Sequence, residues 1–256
     1  MRIADGIHRI GDDPRVNAYL VEDAGEVTII DAAMPGFYDD IPKELAAMGR
    51  SIEDVRAVVL THGHSDHLGF AERVRTERKV PVWVHDDDAS LARAETDPNN
   101  PMGKIRLGPM LGFLWLGLRN GGLKRPEVRV VSTYGDGATL EVPGSPQVIL
   151  VPGHTPGSAA LWMSGRDALF VGDAFATYAV TDGQEGPRIA PFTADRGQAL
   201  ESLQRIADST AGVVLPGHGQ PWMLGMAEAV RQVQASEPQA ARRAGVEQPT
   251  TRSAAE

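Results

Sequence analysis

"THGHSDHLG" (residues 61–69) places three histidines and an aspartate within six consecutive positions, His62 to His67, in a chain that has seven histidines in all. It follows "VRAVVL" (55–60), a continuous apolar run that reads as a buried strand. Neutral imidazole nitrogens and carboxylate oxygens are good donors to zinc and similar cations. Packed without a cation, the same rings would each need a hydrogen-bond partner at a real burial cost. The spacing divides the donors into two pairs. His62 and His64 lie two apart, as in an extended loop leaving a strand, whereas Asp66 and His67 fall where a helix would begin. One turn can therefore serve two neighbouring metal positions.

Two metals need more donors, and the rest of the chain offers them in similar settings. "VILVPGHTPGS" (148–158) runs from an apolar strand into a Pro/Gly loop carrying His154. "ALFVGDAF" (168–175) does the same with Asp173, and "GVVLPGHGQ" (212–220) with His218. Loops on a rigid scaffold are where chemistry is usually carried. Five of the seven histidines are then accounted for. His8 and His85 are expected to be structural. The run "DDD" (86–88) reads as a helix N-terminus, where carboxylates suit the macrodipole.

Taken in order, Asp31 in "IIDAAMPG", "HGHSDH" at 62–67, His154, Asp173 and His218 resemble the motifs of the metallo-β-lactamase superfamily. The similarity spans roughly residues 7–220 and includes all five motifs. The resemblance implies an α/β fold, an αββα sandwich of two mixed β-sheets flanked by helices, with the site at one edge between the sheets. It implies that His62, His64 and His154 bind one metal, that Asp66, His67 and His218 bind a second, and that Asp173 bridges them. Asp31 would steady the ligand loop from behind, and Thr61 either helps it or only ends the strand. The implied cofactor is two Zn2+ per chain, with Fe or Mn as alternatives. The implied reaction is hydrolysis of an ester, thioester or lactone by a hydroxide shared between the metals. Asp66 is then a ligand and a proton acceptor. Tyr178, five residues beyond Asp173, is either a donor to the developing oxyanion or a packed strand tyrosine.

Within this superfamily, a bridging Asp resembles the glyoxalase II and lactonase branch more than the β-lactam-hydrolysing branches. Only 38 residues follow His218, short of the helical domain with which glyoxalase II holds glutathione. Alternatives are a mononuclear iron enzyme similar to the persulfide dioxygenases, a β-lactam hydrolase, and a binding protein that keeps the fold without turnover.

Composition narrows the classes further. Formal net charge is −9, against a nucleic-acid partner, and there is no cysteine, so disulfides and thiolate ligands are excluded. The opening "MRIADGIHRIGDD" lacks the apolar core of a secretory signal, and nothing approaches the ~20 apolar residues that span a bilayer. The expectation is a soluble cytoplasmic protein acting on a small molecule.

Strands are expected at 16–22, 26–31, 55–60, 80–85, 128–132, 138–142, 146–151, 158–164, 167–172 and 212–216. Helices are expected at 36–49, 68–79, 86–95, 194–209 and 225–235. One domain covers 1–235, and 236–256 reads as a polar, flexible tail. Residues 96–127 interrupt the pattern. Their centre, "LGPMLGFLWLGL" (107–118), is apolar all round. It reads as a core or homodimer-contact helix, as a lid giving the substrate pocket an apolar wall for an acyl group, or as a peripheral membrane contact.

Overall fold

Apolar side chains alternate along the strands and so sort into separate cores, as a period of two requires. In β3 (Tyr19–Asp23) Leu20 joins one core while Tyr19 and Val21 join another. In β10 (Ala168–Gly172) Leu169 and Val171 face a third core, and Ala168 and Phe170 share the second with Tyr19. Two sheets therefore lie face to face over the shared core, each with a further apolar layer outside. The computed structural model describes residues 1–99 and 101–237.

The first sheet has seven strands in chain order: β1 (Arg2–Ala4), β2 (Ile7–Arg9), β3, β4 (Glu26–Ile30), β5 (Val55–Val59), β6 (Val82–His85) and β7 (Ser132–Tyr134). Pairing is antiparallel up to β4 and parallel from β4 to β7. The second sheet contains β8 (Gln147–Leu150), β9 (Ala159–Met163), β10 and β13 (Val213–Pro216), ordered β13-β10-β9-β8. Only β10 and β13 pair in parallel there. β11 (Ala176–Tyr178) and β12 (Glu185–Arg188) form a separate ribbon. Outside the first sheet lie α1 (Ile41–Ala47), the short α2 (Ser65–Leu68), α3 (Ala71–Arg78), α4 (Ala89–Ala92) and α5 (Leu107–Arg119); outside the second lie α6 (Arg196–Ser202), α7 (Gln204–Ala207) and α8 (Met226–Ser236). This is an αββα sandwich of two mixed sheets. Among the described residues no helix is long and apolar enough to cross a membrane.

Several expected elements are shorter than their patterns, for identifiable reasons. The helix expected at 36–49 opens as a tight turn over Pro35–Asp40 before α1, and Gly49 stops it in the left-handed region. The helix expected at 68–79 becomes α2 and α3 with Gly69 between them. A Cβ at Gly69 would stand 2.3 Å from the Ala33 carbonyl oxygen, so this close approach needs glycine. The strand expected at 128–132 pairs only from Ser132 onward, and that at 138–142 reduces to one bridge between Thr139 and Gln147. The short β1, β2, β11 and β12 were not anticipated; strands of three or four residues carry too little alternation to read. Of the tail expected at 236–256, Ser236 ends α8 and Glu237 is buried against Arg196; residues 238–256 lie outside the described residues.

The parallel pairs position the site. β4 and β5 end side by side at Ile30 and Val59, and β10 and β13 at Gly172 and Pro216. Chain leaving these four strands enters one edge of the sandwich, where open α/β sheets place their ligands. Phe170 lies at the centre of the shared core, edge-on to Tyr19 with ring centroids 5.4 Å apart. Phe170→Ala should lower stability by about 3–5 kcal/mol in chemical denaturation with the slope unchanged.

Candidate metal centre

Each donor lies just beyond a strand end. Asp31 follows β4, Thr61 to His67 follow β5, His154 lies between β8 and β9, Asp173 follows β10 and His218 follows β13. Three groups of side chains bring their donor atoms within 4.8 Å of one another: His62, His64 and His154; Asp66, His67 and His218; and His62, His67 and Asp173. Asp173 lies between the first two groups. Its Oδ2 is 3.1 Å from His218 Nε2 and 3.3 Å from His154 Nε2, and its Oδ1 is 3.7 Å from His67 Nε2.

Hydrogen bonds behind the rings decide which nitrogen each presents. His67 Nδ1 donates to Asp31 Oδ2 at 3.0 Å. His218 Nδ1 donates to the Arg15 carbonyl. Thr193 gives its hydroxyl proton to the Ala190 carbonyl at 2.8 Å, so it accepts from His154 Nδ1 at 3.0 Å. Thr61 likewise donates to Asp31 Oδ2 at 2.8 Å and accepts from His62 Nδ1 at 3.1 Å. All four rings therefore turn Nε2 inward, while His64 turns Nδ1 to within 2.8 Å of His154 Nε2.

The inward atoms are short of partners. His62 Nε2, His67 Nε2 and Asp173 Oδ1 are buried and accept or donate no hydrogen bond. An unsatisfied buried polar group costs about 1–3 kcal/mol, so three at one point mark a position built for something else. A divalent cation fits. Burial pushes His62 and His154 well below the ordinary imidazole range and lowers His64 as well. Burial also opposes charge on His67, but the Asp31 and Asp173 carboxylates outweigh it and raise that ring to about 10. Burial would raise the Asp173 carboxyl, yet His218, His67 and His154 hold it well below the carboxylate range. Burial opposes charge on His218 too, but Asp173 and Asp66 outweigh it and raise that ring, so cations bound here would compete with protons at both rings.

The loops are fixed by groups that sequence reasoning missed. Asp88, the last of "DDD", is buried instead of serving only a helix start. It accepts from Gly63 N at 2.7 Å, Thr155 Oγ1 at 2.6 Å and Gly157 N at 2.8 Å, tying the His62–His64 turn to the His154 loop. Asn17 donates to the carbonyls of Pro216 at 2.9 Å and Gly219 at 2.8 Å and so holds the His218 loop. A Cβ at Gly217 would lie 2.2 Å from Asp173 Oδ1, which is why glycine precedes His218. Asp31 and Phe192 sit in the left-handed region at φ 58° and 62°, and such strain in non-glycine residues concentrates at functional sites. His8 bonds to Glu44 at 3.2 Å, and His85 accepts from Asp87 N at 3.2 Å, both away from the centre.

Two cavities meet the centre. One, of about 210 Å3, is lined by His64, Asp66, Met34, Phe113, Leu114 and Phe192, among others. The other, of about 360 Å3, reaches His64 and His154 past Ser90, Thr96 and Asp97. Tyr178 is in neither; it lines a separate cavity with Arg15 and Trp222.

The pattern of the metallo-β-lactamase superfamily matches residues 11–218. The chain belongs to that superfamily. Among its relatives, the probable metallo-hydrolase YflN of Bacillus subtilis (strain 168) is 29% identical over 222 residues, covering 80% of this chain and 81% of that one. The structure of BJP-1, a subclass B3 metallo-β-lactamase of Bradyrhizobium japonicum, superposes with TM-score 0.68 at 17% identity over 96% of both chains, which speaks for the fold alone. TTHA1623 in a di-iron-bound form superposes with TM-score 0.59 at 25% identity, over 86% of this chain and 96% of that one. As a metallo-hydrolase superfamily member with such a donor cluster, the chain is a metal-dependent hydrolase in the general sense.

Chelation, checked by elemental analysis, should lower Tm by about 5–15 °C. Asp88→Asn removes one acceptor between two ligand loops and should weaken metal retention by about 10–100-fold in a competition titration, with the fold intact by circular dichroism.

Proposed function

We propose that this protein is a dinuclear, zinc-dependent hydrolase of a carboxylic ester, thioester or lactone whose acyl or alkyl part is apolar. The observation that carries the reading is the convergence of two histidine-containing triplets on either side of Asp173, with His62 Nε2, His67 Nε2 and Asp173 Oδ1 buried there without a hydrogen-bond partner. Two cations held there would supply an activated water and polarise the scissile carbonyl. His62, His64 and His154 would hold the first, and Asp66, His67 and His218 the second, with Asp173 shared between them. The similarity to YflN, a probable metallo-hydrolase, supports this reaction class, and the di-iron form of TTHA1623 keeps iron as the alternative metal.

The chain's own residues account for the remaining steps. Asp66 is the most exposed of the carboxylates and stands 3.5 Å from His218 Nε2, where it can take up the proton released as water is activated. Asp31 is saturated by Thr61 and His67 and serves to orient. The cavity walled by Phe113, Leu114 and Phe192 suits the apolar part of the substrate, and the one past Ser90 and Thr96 suits its polar part. His64 lines both, so the scissile bond would sit at their junction.

Purified, metal-quantified protein should carry about two metals per chain and hydrolyse esters, thioesters or lactones in preference to phosphodiesters and β-lactams. One iron per chain with no hydrolysis would favour the oxygenase alternative. Asp173→Ala should lose the second metal and lower kcat by about 100-fold or more, whereas His218→Ala should deplete the second position and spare the first. Phe113→Ala and Leu114→Ala should raise KM for long-chain acyl substrates on the order of 10-fold more than for short ones. Equal effects across chain lengths would remove the apolar wall from the reading.

A further inference from the structure

Helix α5 has two apolar faces, and only one of them packs on a core. Leu116 is buried and Phe113 packs beside it on the first core. The opposite face carries Leu107, Leu111, Leu114, Trp115 and Leu118, spaced i, i+4, i+7, i+8 and i+11, each at least half exposed, with Leu107 at 75% and Trp115 at 63%. Met102, Ile105 and Leu123 extend it, so eight of the twelve exposed large apolar side chains among the described residues belong to this one segment. Apolar surface gathered in this way marks a contact site.

The charges around the face say what it contacts. From Pro98 to Pro126 the chain has five lysines and arginines and no aspartate or glutamate, although the whole protein carries a net charge of −9. Arg125 is held by Asp97, while Lys104, Arg106, Arg119 and Lys124 are exposed. Lys104 and Arg106 stand at one end of α5, and Arg119 and Lys124 at the other.

We propose that the outer face of α5 seats on an anionic lipid bilayer, with the helix lying flat in the interface and these four cations on the headgroups. A helix of 13 residues is about 20 Å long, too short to span. Cations at both ends of an apolar stripe match a helix parallel to the surface; one standing on end would lift one pair away. The acidic remainder of the protein does not oppose this, because screening over about 8 Å leaves only the near face felt. A second copy fits less well. Any pairing of two such helices sets cations against cations at both ends, with no carboxylate in the segment to compensate.

Leu114 and Leu118 also line the apolar cavity that meets His64 and Asp66. Seated in this way, the cavity opens toward the acyl region. That consequence rests on the proposed hydrolase reading; the docking itself does not.

The test is flotation of the full, metal-loaded chain with vesicles of phosphatidylcholine alone and of phosphatidylcholine with roughly 30% phosphatidylserine. The bound fraction should be about tenfold higher on the anionic vesicles and should fall as salt rises from about 0.05 to about 0.5 M. The triple variant Leu107→Ser, Leu111→Ser and Trp115→Ser changes only exposed side chains outside the cavity. It should lose binding while keeping metal content and turnover of a short soluble ester. Lys104→Glu with Arg119→Glu should abolish the preference for anionic vesicles without disturbing the apolar face. Equal binding to both vesicle types, no binding to either, or a dimer in sedimentation that the triple variant converts to monomer would overturn the proposal. Vesicle binding with no ester turnover would leave it standing and remove the hydrolase reading instead.

Discussion

The Nδ1 protons of His62, His67, His154 and His218 are all committed to oxygen acceptors outside the centre, and the rest of the site depends on that commitment. A neutral imidazole has one proton and one lone pair, so fixing the first aims the second. Asp31, Thr61, Thr193 and the Arg15 carbonyl each supply one such acceptor from a different part of the chain. The rings are thereby oriented before any cation arrives. The energetic cost of holding two unpartnered nitrogens and a carboxylate oxygen at one buried point is carried by the fold, chiefly by its three apolar cores.

The same constraint explains why two parallel strand pairs matter more than the larger number of antiparallel ones. Antiparallel neighbours deliver successive loops to opposite ends of a sheet, whereas β4 with β5 and β10 with β13 deliver theirs to one end. Asp31 can then reach both Thr61 and His67, and the Gly217 amide can donate to the Gly172 carbonyl at 2.8 Å beside Asp173. Asp88 performs the corresponding task between the sheets, since it holds Gly63 on one and Thr155 and Gly157 on the other.

Much of this was legible in the sequence, because a ligand must be a donor residue and its spacing is set by local backbone. The "HGHSDH" turn and the three strand-to-loop donors read directly, as did most of the longer strands. The supporting groups did not read, and the reason is physical. A carboxylate three residues into "DDD" looks the same whether it faces solvent at a helix start or accepts from two distant loops. A threonine in "PFTAD" gives no sign that its hydroxyl will meet His154, and a backbone carbonyl such as that of Arg15 has no sequence signature. Such partners are chosen by tertiary approach, which periodicity does not encode.

For helix α5 the all-round apolar pattern left several readings open, burial in the core among them; the helix lies across the surface with only Leu116 buried. Its inner face, with Phe113 and Leu116, is enough to anchor it, and Arg15 Nη1 adds a bond of 2.6 Å to the Gly112 carbonyl. Trp115, which the sequence suggested as part of a substrate wall, is exposed and does not line the cavity that Phe113 and Leu114 wall. The link through Arg15 has a further meaning. Its carbonyl accepts from His218 Nδ1 while its guanidinium, neutralised by Asp13, grips α5. A single residue thus joins the orientation of a metal-directed ring to the helix that walls the apolar cavity. The His218 ring and the α5 backbone are thus one arginine apart, held by the two ends of the same residue.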